Sequence, residues 1–241
     1  MKKSNVTTHD VETSPLMRAR VAGALYLFAN ILAPFTLLYL PSRFIVRGDP
    51  AATASHIVAS ESLFRFGIVG NLFTFTANIF LALALFQLLK VVSRNIAFVM
   101  LILLLVGVPI AMLNELTQLA VLQLLSGAAF FKAYTVDQLQ VLAYLLLRSH
   151  DQGLLIAHIF FGLWLLPMGY LVFKSRFIPS VVGLLLVIAG VGYVVQSFGI
   201  FLGYSVNIIM FTGLGEAVFL LWLLIRGVNG EQWKKRALES Q

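Results

Sequence analysis

Cysteine is absent from the 241 residues, which excludes disulfides, thiolate metal sites and cysteine nucleophiles while leaving the compartment open. Charge is scarce as well. Only 11% of residues are Asp, Glu, Lys or Arg, against about a quarter in soluble domains. Apolar residues stand in their place, at 60% with a mean hydropathy of +0.93. This balance predicts an integral membrane protein of several spans with short connections and no separate soluble domain. The motifs of familiar enzymes are also missing: there is no G-x-S-x-G, no H-E-x-x-H, no H-x-x-x-H within an apolar run, and no nucleotide-binding loop. A formal charge of +7 would suit nucleic acid in a soluble protein. Here the basic residues flank apolar segments, as topology signals do, so no nucleic-acid partner is expected.

Spans need about 20 mostly apolar residues. They are read at roughly 20–40, 64–89, 96–118, 153–173, 180–202 and 206–225. The expected fold is therefore all-α: a polytopic membrane protein with six transmembrane helices in one compact bundle over 18–228, between a tail at 1–17 and a basic tail at 229–241. The first apolar run has no A-x-A-like exit, which predicts a cytoplasmic tail rather than a cleaved signal peptide. Of the 17 Lys and Arg, one side holds twelve: Lys2, Lys3, Arg18, Arg20, Lys90, Arg94, Lys174, Arg176, Arg226, Lys234, Lys235 and Arg236. The other side holds Arg43, Arg47, Arg65, Lys132 and Arg148. This asymmetry predicts a cell-membrane protein with both termini in the cytoplasm. Two outer connections are long. The first has Gly48-Asp49-Pro50 as a turn before a short helical stretch. In the second, Thr135 and Gln138 fit a capping box, so 135–148 is either an interfacial helix or an outward extension of the fourth span.

A helix packed among others in lipid turns its small and polar residues inward, because lipid satisfies no hydrogen bonds. Each span carries such a stripe: Gly23, Tyr26, Asn30 and Ala33; Gly67, Asn71, Thr74 and Asn78; Gly107, Ala111, Asn114 and Gln118 with Glu115; Asp151, His158, Gly162 and Gly169; Ala189, Gly192, Gln196, Gly199 and Gly203; Thr212, Gly213 and Glu216. At a rise of about 1.5 Å per residue, Glu216, Asn30 and Asn78 fall near the midplane and His158 about 10 Å below the outer boundary. Glu115, counted from Arg94, falls about 31 Å away, at the outer interface. The candidate polar cavity comprises Glu216, His158, Asn78, Asn30, Asn71, Gln196 and Glu115.

Glu216 lies within an apolar run, where an ionised carboxylate requires a partner or water. It is either a proton-carrying or cation-binding group, or a hydrogen-bonded strut between helices. No Lys or Arg lies within a span to pair with it, so a His or Asn partner is expected. His158 is either a base or ligand, or an interhelical hydrogen-bond donor. His9, His56 and His150 are assigned to the tail and connections, which leaves too few embedded ligands for a metal site. No metal and no cofactor is expected, and no catalytic residue is assigned.

The segment "HIFFGLWLLPMGYLVFKSRFIPSVVGLLLVIAGVGYVVQSF", residues 158–198, with "RARVAGALYL" and "EAVFLLWLLIRGV" near the ends, resembles the bacterial membrane family catalogued as domain of unknown function forty-three eighty-six. The resemblance implies a multi-pass membrane protein and no assigned activity. Three readings are open. The first is a small-solute or proton transport or sensing protein with a polar intramembrane cavity. The second is a non-catalytic subunit binding another membrane protein, and the third an intramembrane lipid-modifying enzyme. The expected partners are the lipid bilayer with a small solute or proton, or with a membrane-protein partner.

Overall fold

The computed structural model of the chain describes residues 14–204 and 208–239. Of the expected tail at 1–17, residues 1–13, with Lys2, Lys3 and His9, lie outside the described residues, as do the side chains of Ala33 and Thr212. Every regular element among the described residues is helical. α1 (Pro15–Pro34) opens on a proline, whose missing N–H has no partner in a first turn anyway. Pro34 and Pro41 each withdraw a donor from the ladder, and between them the chain shifts register through a π turn, Phe35–Tyr39. There Leu40 N–H donates to Phe35 O before α2 (Leu40–Phe44) follows. The helical run thus covers 15–44, beyond the expected 20–40 at both ends.

The turn at Gly48 has a φ of 78° and leads into α3 (Pro50–Ala59), capped by Asp49 Oδ1 accepting from Ala52 N at 2.9 Å. α4 (Glu61–Leu89) and α5 (Arg94–Leu124) follow, then a single 3₁₀ turn at Ala129–Phe131. α6 (Val136–Ser175) is one helix of 40 residues. Its capping box is formed by Gln138 N donating to Thr135 Oγ1 at 3.3 Å and Thr135 N donating to Gln138 Oε1 at 2.9 Å. Residues 136–148 are therefore the outer turns of this helix and not a separate interfacial piece. At about 60 Å it is twice as long as a hydrocarbon core is thick. α7 (Ser180–Phe201), α8 (Ile209–Ile225) and α9 (Gly230–Glu239) complete the chain. Four helices, α4 to α7, are long and apolar enough to cross a membrane. α8 from Gly213 together with α9, bent by 102°, gives a fifth candidate.

The six long helices pack as a closed circuit, α1 on α4, α4 on α5, α5 on α6, α6 on α7, α7 on α8 and α8 back on α1. Each shows one face to the interior and one to the surroundings. On α4, Phe66, Phe73 and Phe80 recur every seven residues on the exposed side, while Asn71, Thr74 and Leu81 are buried. One apolar cluster, including Leu85, Leu104, Met168 and Phe219, fills the end at which α4, α6 and α8 terminate. A second, around Phe44, Ile57, Phe64 and Leu147, fills the opposite end. At the first end α9 is pinned crosswise: Trp233 Nε1 donates to Leu88 O at 2.8 Å, Arg18 lies 5.6 Å over the Trp233 ring, and Asn229 N donates to Phe177 O at 3.1 Å.

Glycine sets the closest approach in the circuit. Gly162 faces Gly190 and Gly169 faces Gly183, one heptad apart on antiparallel helices, so α6 and α7 touch backbone to backbone. A Cβ on Gly183 would fall 2.5 Å from Phe173 N and 2.6 Å from Gly169 O. Gly203, placed in the small-residue stripe of this span, takes no such part. α7 ends at Phe201, and Gly203 is an exposed turn residue with a φ of 86°. Because backbone cannot yield as a side-chain tip can, Gly183→Ala is expected to destabilise the fold by about 1–3 kcal/mol. Gly213→Ala, which meets nothing within 4 Å, should leave the melting temperature in detergent level or higher.

Candidate functional site

The circuit encloses a cavity of about 140 Å³, to which all six long helices contribute. Asn30 comes from α1, Thr74 and Asn78 from α4, and Leu104 from α5. α6 supplies His158, Phe161 and Trp164, α7 supplies Tyr193, and α8 supplies Glu216. The stripes of small and polar residues explain why: each helix must hide its hydrogen-bonding groups, and the centre of a ring is the place common to all six. Asn30 is itself exposed, which puts it at the mouth of the cavity.

Glu216 is the centre of the hydrogen bonding. The Tyr26 hydroxyl donates to its Oε2, and the Tyr193 side chain lines the same cavity. The expected His or Asn partner is thus replaced by a phenol. Tyrosine suits the position, since the ring packs among apolar neighbours while the hydroxyl reaches a carboxylate. Tyr26 is fully enclosed, edge-on to Trp164 at 6.4 Å and to Phe219 at 6.2 Å. His158 stands 5.7 Å from the Tyr193 ring and 6.0 Å from the Phe161 ring. Its Nδ1 and the Thr74 hydroxyl are buried with no hydrogen-bond partner among the described residues. Asn30 Nδ2 donates to Tyr26 O at 3.0 Å, in its own helix, which leaves its carbonyl free to accept.

Two of the seven expected cavity residues belong instead to a second polar group, between α4, α5 and α6. Glu115, only 2% exposed, accepts at Oε1 from Asn71 Nδ2 at 3.1 Å and meets His150 Nε2 at 3.2 Å. Gln118 Nε2 lies 2.9 Å from the same ring nitrogen, and Asn114 Nδ2 donates to His150 O at 2.8 Å. One ring nitrogen therefore serves two neighbours. It donates to an ionised Glu115 or accepts from a protonated one, with the Gln118 amide turned to match. The structure corrects one expectation here: His150 lies within α6, 6% exposed, and not in a connection. Glu115, on α5, is buried against α6. A smaller cavity of about 60 Å³ adjoins this group, and Leu154 lines both it and the central cavity. Gln196, the remaining residue of the set, lines neither; its Oε1 accepts from Ile208 N at 2.7 Å where the chain enters α8. Among the described residues no group of three or more His, Asp or Glu is placed to hold a metal ion.

Sequence reasoning passed over His150, Tyr193 and Trp164. For Tyr193 a signal was present: it lies three residues before Gln196, on the small-residue side of α7. Trp164 carried none that separated it from lipid-facing aromatics.

Fold and site together define an all-helical protein, several of whose helices are apolar enough to span a membrane, built around a polar cavity with one carboxylate. Residues 21–227 match the family described as Domain of unknown function (DUF4386), and the chain belongs to that family. It is similar to an uncharacterized protein of Archaeoglobus fulgidus, with 32% identity over 163 residues that cover 67% of this chain and 84% of the relative. No solved structure matches.

Removing His150 would leave Glu115 with one partner fewer in a dry setting. His150→Ala should therefore cost about 1–3 kcal/mol in chemical or thermal unfolding. Tyr26→Phe should cost about 1 kcal/mol. In a double-mutant cycle with Glu216→Gln the losses should fall short of additivity, which is the signature of a shared hydrogen bond.

Proposed function

We propose that the chain is a six-span protein of the cell membrane, with both termini cytoplasmic, whose central cavity carries or senses a small solute or proton through Glu216. The observation that supports this reading most directly is that one cavity draws its lining from each of six helices around a carboxylate, with no Lys or Arg among the described lining residues. A purely structural strut needs one neighbour, not six. Topology is supported by the charge pattern: α9, Arg18, Leu88, Lys174 and Phe177 meet at one end, and that end gathers most of the basic residues. The exposed faces rich in Phe, Leu, Ile and Val suit acyl chains.

Purified protein reconstituted into vesicles tests the reading. With a pH-sensitive dye inside and an imposed gradient or solute step, wild type should show flux above protein-free vesicles. Glu216→Gln, which keeps the shape and removes the ionisable group, should reduce it about tenfold or more. Equal flux through both proteins would remove Glu216 from the mechanism.

A further inference from the structure

We infer that the ligand of the central cavity is a small organic monocation, a protonated amine with a short apolar body. This rests on the preceding reading only in that the cavity takes a ligand at all, and it specifies which.

The walls select by charge first. Among the described residues Glu216 is the one carboxylate lining the cavity, and no Lys or Arg lines it, so an anion would find no counter-ion. The Tyr26 hydroxyl bonded to Glu216 is a neutral donor that stabilises an ionised carboxylate without cancelling its charge. A cation entering the cavity would therefore pair with the carboxylate and favour its ionised form.

The rest of the lining distinguishes among cations. Tyr26, Phe75, Phe161, Trp164 and Tyr193 present aromatic rings around the carboxylate, and ring faces attract ammonium groups while also accommodating alkyl surface. A bare alkali or divalent ion would gain nothing from the aromatic walls, which replace none of its hydration. An ammonium group also needs acceptors for its N–H bonds, and these are on hand. The buried Thr74 hydroxyl and His158 Nδ1 lack partners, and the Asn30 and Asn78 amides line the same space. With a volume of about 140 Å³, the cavity has room for a small molecule.

The test is a titration of full-length protein in detergent with propylammonium chloride, 1-propanol and sodium propionate, followed by calorimetry and by tryptophan fluorescence, since Trp164 lines the cavity. The three probes share a three-carbon body and differ in charge. Propylammonium should bind saturably, 1-propanol and propionate at least about tenfold more weakly. Glu216→Gln should lose about tenfold in propylammonium affinity, and Trp164→Leu should lose several-fold together with the fluorescence response. The inference is overturned if 1-propanol binds as well as propylammonium, if no propylammonium binds, or if folded Glu216→Gln binds it unchanged. Should Glu216→Gln fail to fold, the ranking of the three probes on wild type decides the matter. A proton flux that depends on Glu216 without propylammonium binding would sink this inference and leave the transport reading standing. Propylammonium binding without any flux would do the reverse.

Discussion

A carboxylate set among apolar helices needs donors from the protein. Glu216 takes one from Tyr26 of α1, which ties the last long helix to the first across the circuit. The ring closes through α8, and α8 is held by the group that gives the cavity its chemistry. Stability and site are thus one arrangement: the residues that pay the cost of a charge in an apolar setting also shape the space in which it acts.

The second constraint is steric. Where lipid is as apolar as leucine, helices gain little from hiding apolar side chains and much from close backbone contact. The two facing glycine pairs of α6 and α7 supply that contact. They also fix the register that brings Tyr193 and His158 within 5.7 Å between ring centres. α6 is the spine of the molecule. It carries His158, Phe161 and Trp164 to the central cavity, and, two turns further out, His150 to the buried Glu115. Leu154, between the two, lines both spaces, so the polar regions are separated along α6 by a single apolar side chain.

Much of the architecture was legible in the chain as written. Long apolar runs, Pro15 at a helix start, the Thr135–Gln138 box and the Gly48-Asp49-Pro50 turn are local signals, and the helices begin where those signals stand. The small-polar stripes were sound for Tyr26, Asn30, Thr74, Asn78, His158 and Glu216, because 3.6-residue periodicity alone decides which side chains share a face. What escaped were relations between helices. His150 was assigned to a connection, since nothing local says that α6 continues beside the end of α5, and so its meeting with Glu115 went unseen. Gln196 keeps to the expected face of α7 yet serves the backbone at Ile208, which is a consequence of how the chain turns and not of helical period.

By itself the sequence determined that the protein is helical, apolar enough for a membrane, basic mainly at one end, and equipped with a handful of hydrogen-bonding groups that apolar surroundings would force inward. Those properties follow from composition and from intrahelical spacing, which act over a few residues. Tertiary structure alone decided which of those groups meet. Six residues on five helices, Tyr26 and Asn30 on α1, Asn78 on α4, His158 on α6, Tyr193 on α7 and Glu216 on α8, could be sorted into one cavity only by the order of packing around the ring. The separation of Glu115 and Asn71 into a second site depended on how far α6 extends. Contacts between segments more than a hundred residues apart are set by crossing geometry and by where glycine permits backbones to touch, and no local pattern encodes either.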